Sequence, residues 1–258
     1  MFFKLVTLKA ILNIYQLIYH LPPLTPIRLL LSPLVQALSA GNCVALKPSE
    51  LAPHTADMLC ALLPPYLDTS CVAFCPGAVD VSTALLRECW DLIFYTGSTR
   101  VGKVVMRAAA EHLTPVVLEL GGKSPCFVDA SADLRVTARR ICWGKFANAG
   151  QICIAPDYLL VTNDAHDALV AEMCAVLKEF YGDDPSASPD FARIVSDLHT
   201  QRLAALITEG GKADFKVACG GLHTANLAAR YLPPTLLVDV AHTAKVMGTP
   251  WRGIRFTK

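Results

Sequence analysis

A chain of 258 residues is long enough for one large domain or two ordinary ones, and for a sizeable buried core. Hydrophobic residues make up 53% and charged residues 17%, which excludes wholesale disorder. The net charge is +1 with no run of like charges, so neither nucleic acid nor an anionic membrane surface has an electrostatic case as a partner.

The first stretch, residues 1–35, is strongly apolar but interrupted by Lys4, Lys9, His20, Pro22, Pro23, Pro26, Arg28 and Pro33. A membrane helix needs about 20 mostly apolar residues without such breaks, and no small-residue cleavage site follows a clean apolar core as in a signal peptide. From residue 41 short apolar strands alternate with helical stretches. Residues 43–46, 71–74, 92–95 and 116–120 read as strands, and 55–63, 82–88 and 101–112 as helices. In the last helix Val101, Val104, Val105 and Ala108 are expected on one apolar face. Further on, 132–146, 166–180 and 198–207 read as helices and 158–161 and 235–240 as strands, with a turn-rich break at Gly182-Asp183-Asp184-Pro185. Strands alternating with helices predict an α/β fold with a Rossmann-like parallel sheet, and such sheets bind ligands at the carboxyl ends of their strands. The expected organisation is an apolar N-terminal segment 1–35, a cofactor-binding domain 36–122, a nucleophile-bearing domain 123–247 and a tail 248–258.

The ten cysteines are Cys43, Cys60, Cys71, Cys75, Cys89, Cys126, Cys142, Cys153, Cys174 and Cys219. None forms a CxxC pair and no Cys/His spacing suits zinc, so no metal is expected, and reduced, mostly buried thiols of a cytoplasmic protein are the expectation. The end, Arg255-Phe256-Thr257-Lys258, is not a prenylation box.

Four segments carry chemistry. In Lys47-Pro48-Ser49-Glu50, at a strand end, a cation and a carboxylate could hold the sugar hydroxyls of a nucleotide; an exposed charged turn is the alternative. Gly97-Ser98-Thr99-Arg100-Val101-Gly102 joins a strand to a helix, where glycine admits close backbone approach and a helix N-terminus attracts phosphate. It is neither a GxGxxG fingerprint nor a P-loop, and a plain helix-entry turn also fits. In Glu119-Leu120-Gly121-Gly122 a carboxylate ends an apolar strand; burial would raise its pKa and suit it to general-base work, whereas a salt-bridged structural glutamate is the other reading. Asn148-Ala149-Gly150-Gln151-Ile152-Cys153 puts a thiol in a loop, where it is better placed to react than inside a helix or strand.

In this order, together with Leu118-Glu119-Leu120-Gly121-Gly122-Lys123-Ser124-Pro125 and Asn148 through Tyr158, these segments resemble the aldehyde dehydrogenase superfamily. The resemblance is closest to its class 3 branch, the fatty and aromatic aldehyde dehydrogenases, and runs over roughly residues 31–247. It implies oxidation of an aldehyde to a carboxylic acid through a thiohemiacetal and a thioester on Cys153, with Glu119 as general base and NAD, or alternatively NADP, as cofactor. It further implies cofactor contacts from Lys47, Glu50, Gly97, Ser98, Val101, Gly102 and Leu120, a small-molecule aldehyde as the binding partner, and homodimers as the family's usual assembly. The sequence departs from the family at both ends. If Pro26 is the proline of the family's Trp-Asn-Tyr/Phe-Pro segment, Leu24 stands where the oxyanion-donating Asn belongs. Beyond Met247, Gly248-Thr249-Pro250-Trp251 replaces the family's Glu-Ile-Phe-Gly-Pro, so the oligomerisation segments are expected to be missing. A non-catalytic relative that binds nucleotide or partners, and an unrelated cysteine acyltransferase or thiol hydrolase, are the competing readings.

Overall fold

The computed structural model describes residues 9–14, 24–209, 214–248 and 254–257, with side chains described for 27–209 and 214–248. These residues fall into two compact units, one ending at Gly121 and the other running from Gly122.

The first unit holds β1 (Lys9–Ile14), α1 (Leu24–Ser39), β2 (Cys43–Lys47), α2 (Pro53–Leu62), β3 (Val72–Phe74), α3 (Val79–Leu85), β4 (Leu92–Gly97), α4 (Thr99–Ala110) and β5 (Val116–Leu120). Its sheet has the order β3-β2-β1-β4-β5 and is parallel throughout. The chain winds outward from β1 through β2 to β3, then returns beside β1 with β4. The order therefore reverses between β1 and β4, where such sheets open a ligand crevice. The apolar stretch at the start of the sequence thus supplies the central strand and a covering helix. Pro33 lies inside α1, where it cannot donate to Leu29, a local break in the helical ladder.

Apolar packing sits on both strand and helix positions. Leu30 and Leu34 of α1 and Leu59 of α2 pack with Val44, Leu46 and Val72. Val105 and Ala109 of α4 pack with Ile93 and Tyr95 of β4. The buried stripe of α4 is Gly102, Val105 and Ala109, and Val104 is turned outward, unlike the expected grouping. At about 100° per residue Val104 falls roughly a quarter-turn or more off the centre of that stripe.

The second unit holds β6 (Pro125–Val128), α5 (Leu134–Phe146), β7 (Tyr158–Val161), α6 (Asn163–Tyr181), α7 (Asp197–Glu209), β8 (Lys216–Cys219), β9 (Leu236–Val238), α8 (Lys245–Gly248) and β10 (Ile254–Thr257). Its sheet has the order β6-β7-β10-β9-β8, parallel except for the antiparallel edge pair β8/β9. Asp133 caps α5 by accepting the Val136 N–H, and Gly182 at φ 78° ends α6. The tail expected to diverge from the family provides β10, the middle strand. Residues 1–8, 15–23 and 249–253, on which other parts of the terminal expectations fall, lie outside the described residues. Among the described residues no helix is long and apolar enough to cross a membrane.

All ten cysteines are free, but only Cys142 is fully buried; eight are partly exposed and Cys89 is exposed, so the expectation of mostly buried thiols fails.

Candidate active site

In the first unit, the sequence-selected residues cluster at the carboxyl ends of parallel strands. Lys47 ends β2, Gly97 ends β4, and Leu120 ends β5. Register pairs Ile14 of β1 with Thr96, and Thr96 and Gly97 with Glu119 and Leu120, so Gly97 lies beside the reversal point of the sheet. Gly97 is buried and Ser98 is the N-cap of α4, its hydroxyl accepting from the Val101 N–H at 3.3 Å. The remaining first-turn N–H groups of this 12-residue helix have no intrahelical acceptor, which suits an anion. Gly102 serves packing: a Cβ there would stand 3.0 Å from Leu120 Cδ2, so the glycine brings α4 close to β5.

Lys47 is fully buried, and its ammonium donates to the carbonyl of Pro48 at 2.9 Å, the carboxylate of Glu50 at 3.0 Å and the carbonyl of Gly77 at 2.8 Å. Three acceptors match its three N–H groups. The pair is thus an interior cation holding a half-buried carboxylate rather than an exposed charged turn.

Glu119 differs from expectation. Alternation along β5, an edge strand, turns Val117 and Glu119 outward and Leu118 and Leu120 inward. The burial expected of its carboxylate is absent, and it forms no ion pair among the described residues.

In the second unit, Cys153 lies in a turn of the loop joining α5 to β7 and is partly exposed. A Cβ on Gly122 would come within 2.9 Å of the Cys153 carbonyl oxygen, so only glycine lets the two backbones approach this closely. The loop begins with Asn148, Ala149 and Gly150, all buried and all left-handed, at φ 53°, 51° and 73°. Sequence reasoning missed Gln151, whose buried carboxamide ties this loop to residues 193–195. A long amide beside a glycine in a loop was the available signal. It also missed the buried pair Lys145 and Asp157 at the two feet of the loop. Among the described residues no cluster of His, Cys, Asp and Glu suits a metal ion.

The sequence profile of the aldehyde dehydrogenase family matches residues 25–251. The chain belongs to the aldehyde dehydrogenase family. Its similarity to the dimeric NADP-preferring aldehyde dehydrogenase of Rattus norvegicus is 50% identity over 222 residues, 86% of this chain and 48% of that protein. Aldehyde dehydrogenase family 3 member A2 of Rattus norvegicus is also 50% identical, over 86% of this chain and 44% of that protein. The chain spans about half the length of the curated relatives it matches. Among solved aldehyde dehydrogenase structures, the substrate-bound Staphylococcus aureus AldH superposes with a TM-score of 0.86 at 36% identity, covering 96% of this chain and 52% of that one. The Mycobacterium tuberculosis aldehyde dehydrogenase complexed with NAD+ gives 0.83 at 26% identity, covering 96% and 51%. The α/β class with parallel sheets expected from the sequence is that of this family.

Proposed function

We propose that the chain oxidises an aldehyde to a carboxylic acid, with Cys153 as nucleophile and a nicotinamide dinucleotide as oxidant. The observation that carries this is the placement of Cys153: a partly exposed thiol on a buried, conformationally fixed loop of an aldehyde dehydrogenase fold. The Cys153 thiolate attacks the carbonyl carbon, the C–S bond forms, and the π pair moves to oxygen, where the Cys153 N–H is assigned to stabilise it. Bound to the chain, the dinucleotide supplies the acceptor for the hydride that leaves this carbon. The thioester so formed is hydrolysed when Glu119 takes a proton from water and the water oxygen bonds to the acyl carbon; the C–S bond then breaks, releasing the carboxylic acid and returning the thiolate.

The residues of the first unit fit the dinucleotide. The capped N-terminus of α4 and the side-chain-free Gly97 suit the pyrophosphate, with Val101 and Gly102 in the same first turn and Leu120 at the end of β5. Glu50 would accept from the adenosine ribose hydroxyls, and Lys47, already surrounded by protein acceptors, would hold Glu50 in place. A carboxylate there repels a 2′-phosphate, which favours NAD over NADP.

If Pro26 is the proline of the family's motif, Leu24 in place of its Asn favours a second reading, a nucleotide-binding relative with little or no turnover. The deciding experiment incubates the purified chain with NAD or NADP and a medium-chain or aromatic aldehyde and follows reduction of the cofactor. Turnover abolished by Cys153→Ser supports oxidation. Cofactor binding without turnover favours the second reading, and cofactor-independent thioester hydrolysis would overturn both in favour of a hydrolase.

A further inference from the structure

The stretch before Cys153 is expensive to hold. Left-handed backbone costs a residue with a Cβ about 1–2 kcal/mol, and Asn148 and Ala149 both adopt it, followed by Gly150. All three are buried, so water cannot satisfy their backbone groups. Such a conformation persists only where surrounding contacts over-determine it.

Gln151 supplies those contacts. Its Nε2 donates to the Asn148 carbonyl and to the Arg193 carbonyl, each at 2.9 Å, and its Oε1 accepts from the Val195 N–H at 2.9 Å. The segment it grips is itself fixed. Arg193 donates to the carbonyls of Ser186 and Phe191 and lies over the Tyr231 ring. The Ile194 N–H donates to the Arg230 carbonyl, and the Arg230 guanidinium donates to the Val195 carbonyl. No other side chain of this length fits both ends. Glu would set a carboxylate against two carbonyls, Met offers no donor and only a weak acceptor, and Asn is one methylene too short.

We infer that Gln151 is a positioning residue for Cys153: its carboxamide fastens the left-handed turn Asn148-Ala149-Gly150 to residues 193–195 and thereby fixes where the thiol two residues later is presented. The inference rests on Cys153 being the nucleophile, as proposed above. Removing the clamp releases the turn toward right-handed or extended backbone and displaces the thiol, and a displacement of about 1 Å can cost on the order of 100-fold in a reaction.

The test measures timed iodoacetamide labelling of Cys153 and of Cys142 in the same protein, read by peptide mass spectrometry. Cys142 is buried in the second core, so its labelling reports global opening. In Gln151→Met the Cys153 rate should shift by about tenfold or more while the Cys142 rate stays at the wild-type value. Adding Ala149→Gly, which makes one left-handed residue inexpensive, should return the Cys153 rate toward wild type. Where the chain oxidises aldehydes, kcat should fall and KM for the cofactor should not change. An unchanged Cys153 rate, or Cys153 and Cys142 rates that rise together, would overturn the inference and leave Gln151 a purely structural residue. If Gln151→Met loses its cooperative melt, Gln151→Glu, of nearly the same size, replaces it under the same two criteria. Because labelling needs no turnover, a chain that fails to oxidise aldehydes refutes the proposed activity and leaves the labelling contrast to decide the role of Gln151.

Discussion

The ammonium of Lys145, in the last turn of α5, stands 3.6 Å from the carboxylate of Asp157 at the foot of β7, and both side chains are buried. Lys123 approaches the same carboxylate at 3.9 Å from a half-exposed position. The charges thus bracket the eleven residues between them, which carry the Cys153 loop.

Breaking a buried pair costs about 3–5 kcal/mol when the partner left behind is uncompensated, and here Lys123 stays beside the Asp157 carboxylate to offset part of that. Lys145→Met should therefore destabilise the protein by about 3 kcal/mol or less. The double variant Lys145→Met/Asp157→Leu should recover much of that loss. Urea unfolding curves of the three proteins check this, and a double variant no more stable than the single one would contradict it.

Glu50→Gln removes the charge that would repel a 2′-phosphate while keeping the side chain's size. The NADP affinity should rise relative to NAD, read as a ratio of dissociation constants by calorimetric titration. Lys47→Met should weaken both affinities and lower the melting temperature, since it leaves the buried carbonyl of Pro48 and the partly buried carbonyl of Gly77 without their donor.

If Leu24 stands in the place of an oxyanion donor, Leu24→Asn should raise kcat by roughly 100- to 1,000-fold with little effect on cofactor affinity. Steady-state kinetics with one aldehyde decide the point. An unchanged kcat would show that Leu24 does not occupy the donor's position.

Cys174 and Cys219 share a hydrogen bond that lowers the Cys174 thiol to about 7 and raises that of Cys219, with burial adding to the rise. Burial first, then the neighbouring Cys174, pushes Cys142 up to about 12. A lowered value populates the thiolate above pH 7, so Cys174 should alkylate readily at pH 8 while Cys142 does not. Cys219→Ala should slow Cys174 labelling, because it removes the donor that stabilises the anion. Equal labelling of Cys142 and Cys174 would count against this.

β10 lies between β7 and β9, so deleting residues 249–258 should leave two facing strand edges unpaired in the middle of the sheet. Loss of a cooperative melt, with aggregation by light scattering, is the expected outcome. A deletion variant that melts like the full chain would show that β10 carries little of the stability.

The sequence by itself determined the parallel α/β class and most interior elements. Strands β5 and β7 begin and end where the mainly apolar runs 116–120 and 158–161 do, since β-branched and other apolar side chains suit a pleated, partly buried surface. The edge strands β6 and β8 escaped, since they are short and mixed in character, and β6 opens on Pro125, tolerated only at such a position. β1 also escaped: it lies within a longer, mostly apolar stretch, so nothing local marks its ends. The motif residues were legible as chemical types at strand ends, yet their state was not. Only the tertiary structure turned Glu119 outward, gave Lys47 three interior acceptors, and set Gln151 against residues more than 40 positions away. Periodicity records which face of an element is apolar; the hydrogen-bond partners of a polar side chain depend on distant backbone that local pattern does not encode.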